Sequence, residues 1–186
     1  MQKRCDWCLG IDIYERYHDE EWGVPVHDDG RHFEFLLLES MQAGLSWLTI
    51  LRRRENYRKA FAAFDPKKVA QFDASKVEEL MQDAGIIRNR LKIEAAVNNA
   101  RQFLNIQQEF GSFDSYIWSF TDNKVVKNEW SELKQLPATS NLSDEVAKDL
   151  KRRGFKFVGS TIIYAHLQAI GVINDHLQDC FRYSAV

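Results

Sequence analysis

The chain has 186 residues, of which 45% are hydrophobic and 28% charged, and its formal net charge at pH 7 is −2. This balance is typical of a soluble globular protein rather than of a disordered or membrane protein. The N-terminus lacks the apolar run of a signal peptide and no later run approaches a membrane span, so we expect a cytoplasmic protein with no membrane partner.

The cysteine count and the net charge also narrow the function classes. Three cysteines, an odd number, argue against a disulfide framework and favour thiol or metal chemistry. The slightly acidic total does not exclude a nucleic-acid partner, because phosphate contacts need a local basic face rather than a basic protein.

Apolar residues at helical spacing dominate the first half of the chain. Four of them recur at i, i+3, i+4 and i+8 and predict a helix that ends at Gly44: Phe33, Leu36, Leu37 and Met41. Ser46 can cap a second helix, which would contain Leu48, Leu51 and Phe61. Two further starts are predicted, at Asp65 before Pro66 and at Ser75 in a capping box with Glu78.

The second half of the chain also favours helices. A long helix is predicted over roughly Arg88 to Gln108, with shorter ones near Phe113–Phe120 and Ser143–Arg153 and a last one from about Ser160 to Ile170, ended by Gly171. Strict alternation is scarce, and no linker divides the chain. We therefore expect an all-α fold, a compact globule of eight or so helices forming a single domain over residues 1–186.

Four potential metal ligands lie near the two ends of the chain. Cys5 and His18 are near the start, and His176 and Cys180 share one face of a helical turn near the end. Thiolate and imidazole are ligands that zinc prefers, and a closed set of two of each indicates a structural ion. The spacing is not that of a zinc finger. It leaves open a set in which Cys8 replaces His18, and also the alternative that these residues never meet.

A basic, glycine-containing segment spans residues 149–171 and predicts helix, short hairpin and helix. Gly154 and Gly159 bound the hairpin and permit positive φ, and the N-terminus of the second helix offers free N–H groups to an anion. Cations surround it against one acid, Asp149: Lys148, Lys151, Arg152, Arg153 and Lys156. This pattern suits sequence-independent contact with a DNA backbone, although an αα-hairpin with a solvated charged face explains it equally well.

Motifs along nearly the whole chain resemble the 3-methyladenine DNA glycosylase I family, and the hairpin resembles the helix-hairpin-helix element of DNA glycosylases, here at about residues 144–171. The motifs are CDW at 5–7, YHDEEWGVP at 17–25, LESMQAGLSW at 38–47, RRENYRKAF at 53–61, FDPKKVA at 64–70, DAGIIRNRLKI at 83–93, RGFKFVGSTI at 153–162 and NDH at 174–176. The resemblance implies an all-α glycosylase of base excision repair that acts on double-stranded DNA containing alkylated adenine. It also implies free 3-methyladenine as the product and no required protein partner.

The resemblance further implies one structural zinc ion that joins the two ends of the chain. Its ligands map onto Cys5, His18, His176 and Cys180, and Cys8 is outside the family's set. A zinc ion with four protein ligands has no open position for water, so a metalloenzyme that uses this zinc directly is disfavoured.

A carboxylate within an apolar helix is the predicted centre of the substrate pocket. Helical periodicity alone favours a solvent-facing Glu39, whereas the resemblance implies that Glu39 accepts hydrogen bonds from the adenine edge and favours the cationic lesion. Trp47 and Trp7 would be its stacking walls, because a cation between aromatic faces is stabilised. Tyr17 and Tyr14 resemble the remaining lining. For Trp22 and Trp118 we expect core packing.

The target base must leave the helical stack to reach such a pocket, so a side chain should fill the gap. The turn formed by Gln42, Ala43, Gly44 and Leu45 is the predicted wedge, with Leu45 its apolar side chain. The predicted backbone contacts lie in the hairpin: Arg153, Gly154, Lys156, Gly159 and Ser160.

Two features of the segment after the hairpin bear on mechanism. Asn174 occupies the position of the aspartate found in most relatives of this superfamily, with Asp175 one residue further on, so we expect no strong anionic catalyst there. No lysine lies among Thr161 to Tyr164, where a Schiff-base nucleophile would be, so we expect a monofunctional enzyme that leaves an abasic site. The alternative is a non-enzymatic helix-hairpin-helix DNA-binding module with a structural zinc.

Overall fold

The polypeptide is mostly helical, and a computed structural model describes its residues 2–186. Over those residues the α-helices are α1 (Asp12–Glu20), α2 (Asp29–Gln42), α3 (Trp47–Leu51), α4 (Arg54–Ala60), α5 (Pro66–Val69), α6 (Ala74–Gln82), α7 (Arg90–Phe110), α8 (Phe113–Ser119), α9 (Asn141–Arg152) and α10 (Ser160–Ala169). Two short parallel strands accompany them, β1 (Val126–Lys127) and β2 (Ile173–Asn174). The prediction of a mostly helical fold is confirmed, although the described residues form ten α-helices rather than about eight.

Side-chain caps fix several helix starts. Ser46 and Asp65 accept hydrogen bonds from backbone N–H groups in the first turns of α3 and α5, as predicted. The predicted cap at Ser75 is wrong. Asp73 lies just before α6, and its carboxylate accepts the N–H three residues further on at 2.9 Å, so the helix begins before Ser75.

The single helix predicted after Ser46 is two helices. Arg53 leaves the helical region (φ −101°, ψ 1°), so the chain changes direction between α3 and α4, and α4 ends before Phe61. This bend turns Arg54 inward, where its guanidinium donates to Glu21 at 2.7 Å and to Glu34 at 2.8 Å. The spacing of apolar residues did not predict this bend, because the bend is favoured by the ion pairs of Arg54 and not by apolar packing.

The central helix is α2. Every residue from His32 to Met41 is buried, and α3, α7, α8 and α10 all pack against it. A helix enclosed on all sides has no polar face, so periodicity cannot assign its one acid near the C-terminus, Glu39, to solvent.

The two ends of the chain lie side by side. The N–H of Phe181 donates to the carbonyl of Lys3 at 2.9 Å. The segment near the C-terminus is also held by β1, because Ile173 in β2 pairs with Val126. Gly171 ends the last helix, as predicted, with φ of +72°, and a Cβ there would lie 2.3 Å from the carbonyl carbon of Val24. Only glycine permits this close approach between the N-terminal segment and the chain after α10.

The connection between α9 and α10 is a tight turn, in which the prediction for one glycine is wrong. Gly154 has φ of +92°, but Gly159 has φ of −65° and serves as an ordinary N-cap residue. Phe157 adopts the second positive φ of the turn, +54°. Within residues 2–186, no helix has the length and apolar character needed to cross a membrane.

Candidate active site and metal centre

A cavity of about 250 Å³ opens beside α1, α2, α3 and α10. Its lining includes every residue predicted for the substrate pocket: Trp7, Tyr14, Tyr17, Glu39 and Trp47. The other lining residues are Trp22, Gln42, Leu136, Ala165 and Gln168. The predicted residues that the fold brings together span 40 positions, from Trp7 to Trp47, and the whole lining extends to Gln168 on α10. The contact of these residues with a ligand stays a prediction.

Glu39 is the acidic residue of this cavity, and the solvent-facing alternative for it is wrong. Its side chain is 3% exposed, and its Oε2 has no hydrogen-bond partner within residues 2–186. Burial raises the pKa of the Glu39 carboxyl to about 8. An unpaired carboxyl is costly to bury in a cavity. Glu39 is therefore available to accept hydrogen bonds from a ligand or to form an ionic interaction with a positively charged one.

Aromatic rings form the walls of the cavity. Trp7 packs edge-on against Tyr14 and Trp22, with ring centroids 5.4 Å and 5.1 Å apart, and Tyr17 lies 5.4 Å from Trp47. The expected core packing of Trp22 is confirmed, because its ring is buried in the apolar core, and this residue also lines the cavity. These rings give the cavity electron-rich faces suited to a flat or cationic ligand.

The two tyrosines of α1, Tyr14 and Tyr17, differ in burial and in hydrogen bonding. Tyr17 is buried, and burial, followed by the charge of Glu39, holds its pKa well above the usual range, so the phenol stays neutral. Tyr14 accepts a hydrogen bond at 2.8 Å from the N–H of Leu48 in the first turn of α3. This bond ties α3, and with it the ring of Trp47, to α1.

The predicted core residue Trp118 is indeed buried, and its Nε1 donates to the carbonyl of Val26 at 2.9 Å. Neither Asn174 nor Asp175 lines the cavity. The Asn174 amide donates to the carbonyls of Tyr183 and Val186 and so ties down the C-terminal segment.

Cys5, His18, His176 and Cys180 converge at the junction of the two chain ends. All four are buried, and their ligand atoms lie within 4.8 Å of one another, so this group could hold a metal ion. His18 Nε2 is 3.2 Å from His176 Nδ1 and 3.4 Å from Cys180 Sγ. The alternative ligand set with Cys8 is wrong: the Cys8 thiol donates to the Cys5 carbonyl at 3.1 Å, and burial raises its pKa to about 11.

Hydrogen bonds from outside the Cys/His cluster orient its two histidines. His18 Nδ1 lies 2.8 Å from Asp19, and His176 Nε2 lies 2.9 Å from the carbonyl of Trp22, so the other nitrogen of each ring faces the centre. The hydrogen bond with Cys5 lowers the pKa of the Cys180 thiol, whereas the same pairing raises the pKa of Cys5. Two thiolates this close repel, and a cation between them would remove the repulsion.

The turn from Gln42 to Leu45 projects beside the cavity, and a second groove of about 390 Å³ separates it from the start of α10. Leu45 is 38% exposed, and Gly44 has φ of +77° with open space around it. Sequence reasoning missed the residue that holds this turn. Lys92 is buried, and its Nζ donates to the carbonyls of Met41 and Ala43 at 2.7 Å and 2.6 Å.

The cations around the α9–α10 turn divide into two groups. The exposed side chains without an ion pair in residues 2–186 are those of Lys148, Lys151 and Lys156. Arg153 instead donates to Asp149 at 2.6 Å and to Glu109 at 2.7 Å, so a second acid opposes the basic cluster. Arg152 also pairs with Asp149.

Helix α7 holds the α9–α10 turn from beneath. Asn99 accepts a hydrogen bond from the N–H of Lys156 and donates one to its carbonyl, both at 2.8 Å, and Asn98 donates to the carbonyl of Gly154. Ser160 Oγ, at the start of α10, lies 2.8 Å from Ser143 Oγ. The backbone of the turn is therefore fixed while its lysine side chain stays free.

A helical protein with an aromatic, acid-containing cavity, a basic turn and a Cys/His cluster matches one known class. Residues 7–183 match the family model for methyladenine glycosylases, and the chain belongs to this family.

Individual relatives agree with this assignment. The chain is 47% identical over 181 residues to DNA-3-methyladenine glycosylase 1 of Escherichia coli (strain K12), covering 97% of each chain. It matches a crystal structure of 3-methyladenine DNA glycosylase I with a TM-score of 0.94 and 47% identity, over 96% of this chain and 98% of that one. It also matches a solved structure of the 3-methyladenine DNA glycosylase I from Staphylococcus aureus, which describes the basis of 3-methyladenine recognition by that protein. The TM-score is 0.93 and the identity 39%, over 96% of this chain and 95% of that one.

Proposed function

We propose that this protein is a DNA glycosylase of base excision repair that hydrolyses the N-glycosidic bond of 3-methyladenine and leaves an abasic site. The observation that supports this most directly is Glu39, a buried carboxyl with an unpartnered oxygen inside an aromatic cavity. The comparisons agree with this proposal, because the similar sequence and the similar solved structure are both those of 3-methyladenine DNA glycosylases.

Methylation at N3 makes the adenine base cationic and weakens its bond to the sugar. A cationic base in the cavity would favour the ionised form of Glu39 and be attracted to it, and the rings of Trp7 and Trp47 would stack on this base. A neutral base gains neither the charge interaction nor the cation–π energy of roughly 0.5–2 kcal/mol, so the cavity would select the damaged base.

Hydrolysis then breaks the bond between the base and C1′ of the sugar, and the oxygen of water bonds to C1′ while the water loses a proton to solvent. The electron pair of the broken bond leaves with the base, which becomes neutral. Within residues 2–186 no lysine lines the cavity, and the buried Lys92 donates to two backbone carbonyls outside it. This supports a monofunctional enzyme with no covalent Schiff-base step.

We propose that DNA lies across the turn from Gln42 to Leu45 and the α9–α10 turn, which would act as a helix-hairpin-helix element. Leu45 would fill the gap left by the flipped base, because it is exposed and next to the cavity. Gly154, Lys156, Gly159 and Ser160 would contact the phosphate backbone, the last two at the N-terminus of α10. The ion pairs of Arg153 support a structural role for it rather than a phosphate contact.

We propose zinc as the ion of the Cys/His cluster, in a structural role. Ligand bonds of about 2.0–2.3 Å in a tetrahedron place the ligand atoms roughly 3.3–3.8 Å apart. The separations of His18 Nε2 from His176 Nδ1 and of Cys5 Sγ from His176 Nδ1 are 3.2 Å and 3.8 Å. Because four protein ligands close the site, its ion would stabilise the fold and not activate water.

The proposed zinc centre adjoins the proposed substrate cavity. The ring of Trp22 lies 4.6 Å from His176 and that of Trp7 lies 5.6 Å from His18, measured between centroids. The ion would thus fix one aromatic wall. One contiguous apolar core runs from Cys5 to Cys180, which supports a single domain over residues 1–186.

Incubation with methylated duplex DNA, followed by chromatography of the released bases, tests the proposal. Release of 3-methyladenine, with none from unmethylated DNA, is the expected result. Binding to methylated DNA without base release would overturn the enzymatic proposal and leave a DNA-binding module.

A further inference from the structure

A buried carboxylate behind the cavity has a complete set of donors. Asp175 is 1% exposed. Its Oδ1 accepts from Asn128 Nδ2 and Trp130 Nε1, both at 2.7 Å, and its Oδ2 accepts from the Tyr164 hydroxyl at 2.5 Å and Gln168 Nε2 at 2.6 Å. Four donors leave the carboxylate no free lone pair with which to activate water. The carboxylate of Asp175 instead fixes the orientation of the four side chains that donate to it.

Gln168 is the one of these four donors that lines the cavity. A carboxylate only accepts hydrogen bonds, so it fixes the amide of Gln168 with the nitrogen towards Asp175. The amide oxygen is then the polar atom left for the cavity, and it accepts no hydrogen bond from residues 2–186. The main chain is also fixed, because the carbonyl of Gln168 accepts from the N–H groups of Gly23 and Gly171 at 3.0 Å and 3.2 Å.

The cavity therefore presents a fixed acceptor, the amide oxygen of Gln168, together with the carboxyl group of Glu39. Adenine has an amino group, a donor, at position 6, whereas guanine has a carbonyl oxygen, an acceptor, at the same position. A fixed acceptor stabilises the first and repels the second. A freely rotating glutamine would not discriminate, because it could present its N–H₂ to guanine.

We propose that Gln168 is a specificity-determining residue that favours 3-methyladenine over 3-methylguanine, and that Asp175 is the positioning residue that fixes its amide. This inference rests on the proposed glycosylase function. It assigns a role to Asp175 that needs no contact with substrate.

Gln168→Met tests the first part, because methionine has a similar shape and no amide oxygen. Methylated DNA containing both lesions is incubated with each protein, and both released bases are quantified. Loss of a hydrogen bond to a cationic base should lower kcat/KM for 3-methyladenine about tenfold or more, whereas release of 3-methylguanine is unchanged or rises. An unchanged ratio of the two rates would overturn the proposal.

Asn128→Ala is the matched control, because it removes another donor to Asp175 at a position outside the cavity. It should keep the wild-type ratio. If Asn128→Ala changes the ratio as much as Gln168→Met does, the effect comes from general loosening of the Asp175 cluster and the assignment of Gln168 fails.

Asp175→Asn tests the positioning role, since its amide can meet either end of Gln168 and no longer fixes it. We expect the ratio to shift towards 3-methylguanine, as in Gln168→Met, in protein shown to be folded by its melting curve. If Asp175→Asn folds and keeps the wild-type ratio, the positioning role fails. If it does not fold, Gln168→Met alone decides the specificity claim. Wild-type protein that releases no 3-methyladenine would refute the proposed function itself, a separate outcome.

Discussion

Glu39→Gln separates the stability of this protein from its proposed activity. The substitution keeps the size of a side chain that is 3% exposed and removes its charge. The pKa of the carboxyl is about 8 in the folded protein against 4.5 in the unfolded chain. The folded state therefore binds more protons than the unfolded state between these two values, and the stability contributed by the wild-type residue falls as pH rises through this window.

The magnitude follows from the difference in pKa. At pH 7 the unfolded chain has lost the proton and the folded protein keeps it, which costs about 3 kcal/mol of unfolding free energy. Glu39→Gln avoids this cost because glutamine has no charge. We expect a variant that is more stable by up to that amount at pH 7, with a gain that rises further to a plateau above pH 8 and is almost zero near pH 4.5.

Thermal unfolding of both proteins at pH 5, 7 and 8 measures this difference. For a chain of this length, a gain of about 3 kcal/mol raises Tm by roughly 6–12 °C. Excision of 3-methyladenine should fall by at least about tenfold in the same variant, because a charge-assisted hydrogen bond to the cationic base is lost. Equal Tm values at all three pH values would refute the burial argument, and unchanged excision would remove Glu39 from the pocket chemistry.

Three further predictions concern the metal, the DNA face and the fold. Cys180→Ala should abolish stoichiometric zinc, measured by mass spectrometry, and lower Tm while excision at low temperature persists; lost excision with an unchanged Tm would instead indicate direct metal chemistry. Lys156→Ala should weaken DNA binding and reduce the salt slope of log K by about 1, whereas Arg153→Ala should mainly lower Tm; equal effects of the two on the salt slope would contradict their different ion pairing. Gly171→Ala should cost at least about 1–2 kcal/mol in denaturant unfolding, because of its positive φ and the 2.3 Å approach to Val24; wild-type stability would refute that contact.

The sequence predicts those parts of the fold that depend on local interactions. Ser46 and Asp65 were found because a cap acts within three residues, and the end of the last helix at Gly171 was found for the same reason. The prediction at Ser75 failed because Asp73, two positions earlier, also has a capping side chain, and only the folded backbone decides between them.

The site depends instead on contacts between distant parts of the chain. Spacing could not show that Cys5 meets Cys180, because that meeting is made by the fold of everything between them. Gln168 has no local pattern that marks it, since its place beside the cavity depends on how α10 packs against α2. The sequence predicted Arg153 as a DNA-backbone contact and not as part of an ion pair with Glu109, because this partner lies 44 residues earlier.

Helix α7 explains how two separate turns could act on one DNA molecule. Lys92 holds the turn after α2 by two carbonyls, and Asn98 and Asn99 hold the α9–α10 turn six and seven residues later. At 1.5 Å per residue these attachment points are about 9–10 Å apart along one rigid axis. The proposed wedge and the proposed backbone contacts thus keep a fixed separation. Under the proposed function, a wedge held in this way would enter the duplex at a constant position relative to the bound phosphates and so align a flipped base with the cavity.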